Sequence, residues 1–222
     1  MELLGIVPLP VDVHAAAFAT VAGEVALVRT VRALLGGVPA AGVVVVAAEP
    51  LAAAARSCLD AAGLPVVRVL TAEGPGTRRE CLTTATEDVG GEPHPATHVL
   101  IHDVGHPLAT TDATVRVMSG LRGGHPVVVP VLPVTDTFKA VSDGGAVMGT
   151  VDRTELRTVQ YPRGYERATL RELIVGDADE FVAALSAGLS IATVDGDADG
   201  FAAELPADAE LMDAISAAHH PA

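Results

Sequence analysis

Five short apolar runs alternate with segments of helical periodicity over the first 134 residues. Uninterrupted apolarity is typical of strands buried on both faces of a sheet. The predicted strands are 3–8, 42–48, 65–70, 98–103 and 125–134. Between them, apolar positions recur three and four residues apart, which is the spacing of one helix face. The predicted helices are 16–36, 49–63, 78–89 and 112–123, the last with Asp112 as its N-cap.

This alternation of strands and helices predicts an α/β fold with a mostly parallel sheet and helices on both faces. Ligands of such sheets bind at the carboxyl ends of the strands. Asp103 closes the fourth predicted strand. Its carboxylate is therefore the first candidate to hold a metal or a phosphate-bearing ligand.

The pattern changes after residue 134. The segment 135–160 alternates with period two about the turn SDGG, which predicts a β-hairpin. A hairpin inserted into such a sheet is usually an arm, often one that contacts a second subunit. Helical patterns at 166–187 and 206–218 then flank a short strand, SIATVDG. No linker interrupts the chain, so 1–222 is predicted to be a single domain.

Charge and composition narrow the classes of partner. The formal net charge is −14 and only 3% of the residues are aromatic. Nucleic-acid binding needs clustered Lys and Arg, so a nucleic-acid partner is not expected. No apolar run reaches the ~18 residues of a membrane span, so no membrane partner is expected and the protein is predicted to be soluble and cytoplasmic. The two cysteines indicate neither a zinc site nor a disulfide framework.

Three stretches carry a resemblance to a known family: HVLIHDVGHPL, LRGGHPVVVPVLPVTDTFKAV and GTVDRTELRTVQYPRGY. In this order they resemble the 2-C-methyl-D-erythritol 4-phosphate cytidylyltransferase (IspD) family. The resemblance implies a Rossmann-like nucleotidyltransferase fold and a homodimer built through the β-hairpin arm, 135–160. It also implies a reaction of CTP with methylerythritol phosphate that gives CDP-methylerythritol and pyrophosphate, with Mg²⁺.

Several positions of the family's site are kept. Thr137 and Lys139 match a D-T-x-K motif and Arg153 matches V-D-R. The resemblance implies that this Thr and Arg bind the phosphate of methylerythritol phosphate, with the Arg coming from the partner subunit's arm. Asp103 matches the family's metal-binding aspartate, and Arg78 matches an arginine of the nucleotide site.

Most positions that the resemblance assigns to the nucleotide are changed. The family wraps the triphosphate in a glycine-rich loop, whose backbone N–H groups and cations neutralise it. Here no glycine lies between Pro8 and Gly23, and the loop is shortened. The remaining changes are Ala16 for lysine, Cys81 for serine, His106 for arginine, Tyr161 and Arg163 for threonine and glutamine, Ala202 for lysine, and Glu204 for threonine.

Phosphoryl transfer depends on positioned cations, and several of these are lost. We therefore predict a catalytically inactive member with a binding or regulatory role, either as a homodimer or paired with an active relative. A binder of a small phosphate compound at Thr137 and Arg153 is a further hypothesis. The alternative is an active cytidylyltransferase or other nucleotidyltransferase with a remodelled site, for which Mg²⁺ would be the cofactor.

Two other chemistries are weighed at the same positions. His106 and Asp103 are candidates for a metal pair, although a loop histidine that fills the space of the lost arginine is the preferred interpretation. His102 and Asp103 should not converge while the strand continues, because successive residues point to opposite faces. Cys81 as a nucleophile lacks a base paired with it in the sequence.

Overall fold

The computed structural model describes residues 2–87, 95–176 and 178–219. Its strands are β1 (Leu3–Leu9), β2 (Thr20–Val21), β3 (Glu24–Val25), β4 (Val43–Ala47), β5 (Arg68–Thr71), β6 (His98–Ile101), β7 (Val127–Pro133), β8 (Lys139–Val141), β9 (Val147–Thr150), β10 (Arg157–Val159), β11 (Arg163–Glu166) and β12 (Ile191–Asp195). Its α-helices are α1 (His14–Ala17), α2 (Ala26–Leu35), α3 (Glu49–Ala61), α4 (Arg78–Thr86), α5 (Thr111–Arg122), α6 (Arg167–Leu173), α7 (Glu180–Ser186) and α8 (Ala209–His219).

The main sheet is mostly parallel, as predicted. β1 lies between β4 and β6 and is parallel to both, and β5 extends the sheet beyond β4. On the other side, β11 runs antiparallel between β6 and β7. β10 pairs antiparallel with the far part of β7, so β10 and β11 form one interrupted strand on the same side of β7. β12 pairs parallel with β7 on its opposite side.

Alternate residues of the central strands pack into two separate cores, one on each face of the sheet. On β4, Val43 and Val45 belong to the core beneath α2, α3 and α5, while Val44 and Val46 belong to the core beneath α4, α6 and α7. All four are fully buried. The prediction of helices on both faces is confirmed, because the apolar side chains of this strand pack against helices on both faces of the sheet.

The predicted helix 16–36 is wrong as a single element. α1 ends at Ala17, and β2 and β3 form a small hairpin before α2 begins at Ala26. The turn between these strands places Ala22 at φ +50° and Gly23 at φ +76°, a left-handed geometry that no helix contains. Only the second half of the predicted segment carries the buried helical stripe.

Other boundaries also differ from the sequence prediction. The N-cap of α5 is Thr110, whose hydroxyl accepts a hydrogen bond from the N–H of Ala113 at 3.2 Å, and Asp112 lies in the first turn instead. The run 65–70 begins its strand only at Arg68 and is partly exposed because β5 lies at the sheet edge. The segment 166–187 divides into α6 and α7.

The remaining ends shift by a few residues. The strand predicted to end at Asp103 ends at Ile101, and the helix predicted for 78–89 ends at Thr86, its last two positions lying outside the described residues. The hairpin predicted about SDGG is confirmed as β8 and β9. In the ranges that the structure describes, no helix is long and apolar enough to cross a bilayer.

Candidate functional site

Arg78 is the centre of a polar cluster at the carboxyl ends of the strands. It is the first residue of α4, and a capping box fixes that helix start. In the box Thr77 accepts from the N–H of Glu80, and the Glu80 carboxylate accepts from the N–H of Thr77 at 2.8 Å. With the helix start held in this way, the Arg78 side chain reaches the end of β6.

The Arg78 guanidinium is bound on three sides. Its Nε and Nη2 donate to the two carboxylate oxygens of Glu180 at 3.0 and 2.7 Å. Its Nη1 donates to Oδ2 of Asp103 at 3.1 Å, and Nη2 also donates to the hydroxyl of Tyr161 at 3.0 Å. The Glu180 side chain is only 1% exposed, so this bidentate pair lies out of water.

β11 and the residues just before it supply the other half of the cluster. Tyr161, Arg163 and Tyr165 are two residues apart, so they project from one face of β11 and the residues before it. The Arg163 guanidinium lies 4.2 Å from the centre of the Tyr161 ring and donates to both oxygens of Asp179 at 3.1 and 3.2 Å. The cluster thus joins residues from four separate parts of the chain.

The charges of the cluster nearly cancel. Asp103, Asp179 and Glu180 supply three carboxylates against the guanidiniums of Arg78 and Arg163, which leaves one formal negative charge. Burial opposes the charge on Arg78, but the nearby tyrosine hydroxyl and the paired carboxylates outweigh it and raise the pKa of its guanidinium. Both arginines are therefore committed to internal partners.

Asp103 is engaged through both of its oxygens. Oδ2 accepts from Arg78, and Oδ1 accepts from the N–H of Gly105 at 2.8 Å. Within the parts of the chain that the structure describes, no group of three or more His, Cys, Asp or Glu side chains could hold a metal ion. The residues present do not fit a Mg²⁺ site as they stand, because the Asp103 carboxylate is paired with the Arg78 guanidinium, whose positive charge would lie next to the ion.

The two histidines of the HDVGH stretch are buried and neutral. His102 accepts the backbone N–H of Asp103 at its Nδ1, and His106 packs against the ring of Tyr161 with centroids 4.8 Å apart. Burial lowers the pKa of His102 to about 3 and that of His106 to about 4. The structure therefore places His106 against an aromatic ring. That it fills the space of the lost arginine stays a prediction.

The loop after β1 is short and carries no arginine or lysine. Residues Val11–Val13 form a single 3₁₀ turn, and the N–H of Val11 donates to the carbonyl of Gly76 at 3.0 Å. Asp12 is exposed in this turn, and Ala16 follows on α1, partly buried against the core.

Cys81 is fully buried on α4, facing the core beneath α4, α6 and α7. Burial raises the pKa of its thiol to about 11, so the thiolate needed for nucleophilic attack is scarce at neutral pH. This environment is that of a packing residue. Ala202 and Glu204 are exposed on the segment before α8, which is attached to the Asp103 loop where the N–H of Ala203 donates to the carbonyl of Gly105 at 2.8 Å.

The predicted phosphate-binding residues lie on the hairpin arm. Thr137, Lys139 and Arg153 are all exposed. Lys139 donates to the hydroxyl of Thr150 at 2.7 Å, and Arg153 donates to the carbonyl of Thr135. Lys139 and Arg153 thus bond to other residues of the arm. A common phosphate site would need the arm to meet another surface.

Sequence reasoning did not identify three residues that the structure makes central. Glu180 and Asp179 lay inside the helix predicted for 166–187, whereas Asp179 caps the start of α7 by accepting from the N–H of Phe181 at 2.9 Å. Gln160 is buried between β10 and β11, and its amide exchanges two hydrogen bonds with the backbone of Asp197, at 2.8 and 2.9 Å. The acidic pair before an apolar helix was the available signal for Glu180.

Solved structures with the same fold define the class. The 2-C-methyl-D-erythritol 4-phosphate cytidylyltransferase of Thermus thermophilus superposes with a TM-score of 0.72 at 26% identity, covering 97% of this chain and 99% of that one. A structure described as 4-diphosphocytidyl-2C-methyl-D-erythritol synthase gives a TM-score of 0.79 at 20% identity, which supports the fold alone. The protein therefore has the Rossmann-like nucleotidyltransferase fold.

The sequence comparisons identify the family. The profile of 2-C-methyl-D-erythritol 4-phosphate cytidylyltransferases matches residues 12–217. The Streptomyces coelicolor protein of that name is 32% identical over 206 residues, which cover 88% of this chain and 75% of that protein. The Rhodococcus opacus protein is 38% identical over 155 residues, which cover 70% of this chain and 64% of that protein. The chain belongs to the IspD family.

Proposed function

We propose that this chain is a catalytically inactive member of the IspD family with a binding or regulatory role. The observation that carries the proposal is the pairing at the strand ends. Arg78 and Arg163 are the arginines of this cluster, and each is bound to carboxylates of the same chain. A triphosphate that arrived there would have to displace these ion pairs, of which the pair of Arg78 with Glu180 is buried.

The chemistry of nucleotidyl transfer explains why this matters. The developing charge on the phosphates is stabilised by cations and N–H donors, and losing one well-placed donor typically costs about 10²–10³ in rate. Here the loop after β1 presents Asp12, and the positions aligned with two family lysines are Ala16 and Ala202. Such losses at one site act together, so the residual rate should lie near the uncatalysed background.

The direct test is an assay of pyrophosphate release from CTP and methylerythritol phosphate with Mg²⁺. The Streptomyces coelicolor relative, run in parallel, controls for substrates and detection. We expect no release above the rate without protein, and calorimetric binding of CTP weaker than ~1 mM. Pyrophosphate release that Asp103→Ala abolishes would refute the proposal and establish the alternative, an active nucleotidyltransferase with a remodelled site.

One observation favours that alternative. Asp103 and Arg78, two positions kept from the family, lie in direct contact at the strand ends. If a bound nucleotide separated them, Asp103 would face the phosphates and Arg78 could move with the ligand. Structures or titrations with CTP would then show Arg78 leaving Glu180, whereas the inactive form keeps this pair.

The proposed partner surface is the hairpin arm. Val141, Val147 and Met148 are 59%, 67% and 71% exposed there, which is costly for apolar side chains on a free hairpin. We infer that the arm packs against a second copy or against an active relative. Co-purification with such a relative, lost in Met148→Asp but kept in Val182→Asp on another exposed surface, would support the heterodimer.

The arm also supports the hypothesis of a small phosphate ligand. In this view Thr137 and Arg153 bind a sugar-alcohol phosphate once the arm has docked. The protein's melting temperature should then rise with erythritol phosphate and stay unchanged with CTP, and Arg153→Ala should remove the rise. No change with either compound would refute this binding role.

A further inference from the structure

The strongest unassigned feature is the contact between the Arg78 guanidinium and the Asp103 carboxylate. We propose that the Arg78 guanidinium acts as a built-in cation at Asp103 and excludes a divalent metal from it, with Glu180 as the residue that positions Arg78. The inference rests on the proposed inactivity and deepens it, because it gives a reason why Asp103, which matches the family's metal-binding aspartate, would bind no metal. It rests on the hydrogen-bond geometry of four side chains, those of Arg78, Asp103, Glu180 and Tyr161.

The first step is a count of donors. A guanidinium has five N–H groups in one plane. Four of the five on Arg78 are used, two toward Glu180, one toward Asp103 and one toward Tyr161. A side chain bound on this many sides has little freedom to swing toward solvent or toward an arriving ligand.

The second step concerns the oxygens of Asp103. Mg²⁺ and Mn²⁺ need oxygen ligands at about 2.0–2.2 Å in near-octahedral geometry. Oδ2 accepts a hydrogen bond from Arg78 at 3.1 Å, and Oδ1 accepts one from the N–H of Gly105 at 2.8 Å. A metal bound to this carboxylate would lie next to a guanidinium of like charge, or would have to expel it.

The third step is the cost of expelling Arg78. Glu180 is 1% exposed and binds the guanidinium through both oxygens, whereas the side chains of Arg78 and Asp103 are 23% and 28% exposed. Removing Arg78 would leave the Glu180 carboxylate buried without its main partner, which is strongly unfavourable. The buried pair of Arg78 with Glu180 thus holds the more exposed pair of Arg78 with Asp103 in place.

The experiment is a Mn²⁺ titration of the full chain, with free Mn²⁺ followed by electron paramagnetic resonance. We expect no saturable binding by the wild type up to millimolar Mn²⁺. In Arg78→Gln the carboxylates of Asp103 and Glu180 lose their cation, so Mn²⁺ affinity should rise at least about tenfold. Adding Asp103→Asn to that variant should remove the gain, and Arg122→Gln, at the exposed end of α5, is the matched control that should leave binding unchanged.

Two results would overturn the inference. One is saturable Mn²⁺ binding by the wild type that Asp103→Asn abolishes, a measurement that needs no Arg78 variant to fold. The other is a folded Arg78→Gln, checked by circular dichroism, that binds Mn²⁺ no better than the wild type. Both are separable from the proposed function, which fails only if pyrophosphate is released.

Discussion

Glu180 should be the most sensitive carboxylate of the strand-end cluster. It contacts Arg78 through both oxygens, and one of them also lies 3.8 Å from Arg163. Its side chain is 1% exposed, whereas that of Asp179, the neighbouring partner of Arg163, is 36% exposed. The substitutions Glu180→Gln and Asp179→Asn remove one charge each with little change in volume, so they compare a buried ion pair with an exposed one.

The expected magnitudes differ severalfold. Breaking a buried pair by removing one partner costs about 3–5 kcal/mol, and Gln keeps one acceptor oxygen, so we expect about 3 kcal/mol for Glu180→Gln. Exposed pairs contribute about 0–1 kcal/mol, and Asn also serves well as the N-cap of α7, so Asp179→Asn should cost less than about 1 kcal/mol. For a chain of this size, 1 kcal/mol corresponds to about 2–4 °C in Tm.

Thermal and urea unfolding at neutral pH measure both variants. Glu180→Gln should lower Tm by about 6–12 °C and Asp179→Asn by less than about 4 °C. An equal m-value in urea would show that the unfolded state is unchanged. If Asp179→Asn costs as much as Glu180→Gln, burial does not set the strength of this cluster, and the reasoning about Arg78 loses its basis.

Three further outcomes are expected. Because burial holds the pKa of His102 at about 3 and of His106 at about 4, only the unfolded chain takes up their protons as pH falls below about 6.5. Urea unfolding at pH 5.5 should therefore show about 2–3 kcal/mol less stability than at pH 7.5, and a pH-independent midpoint would contradict this. Gly164→Ala should destabilise by about 1–3 kcal/mol, because a Cβ there would lie 2.6 Å from a valine methyl of α5. Gly149→Ala, with open space at its Cβ, is the control and should cost less than Gly164→Ala. Cys81 should resist thiol reagents at pH 8 until the protein unfolds, whereas the half-buried Cys58 of α3 should react in the folded protein. Equal reaction rates of the two thiols in the folded protein would refute the burial of Cys81.

The sequence predicted the sheet because its signal is local. Val43–Ala47 is apolar at every position, and such a run is typical of a strand that is buried on both faces. The period-two segment about SDGG predicted β8 and β9 for a similar reason. The predicted helix 16–36 was wrong because a left-handed turn at Ala22-Gly23 interrupts a segment whose composition is otherwise helical.

The resemblance also predicted which positions form the family's site, because the motifs occur in a fixed order; these roles stay predictions. Asp103 was assigned to the end of a strand, and it lies just beyond the end of β6. Glu180 was not assigned a role, since nothing local distinguishes a buried glutamate from one that faces solvent at a helix start. Its role depends on Arg78, which is 102 residues away along the chain.

The sequence by itself determined the α/β class and the family, since each follows from residue types at adjacent or evenly spaced positions. Tertiary structure alone decided that Arg78 pairs with Asp103 and Glu180. The physical reason is that this choice depends on burial and on distances between α4, the end of β6 and α7. Those quantities come into being only when the sheet brings the three segments to the same edge.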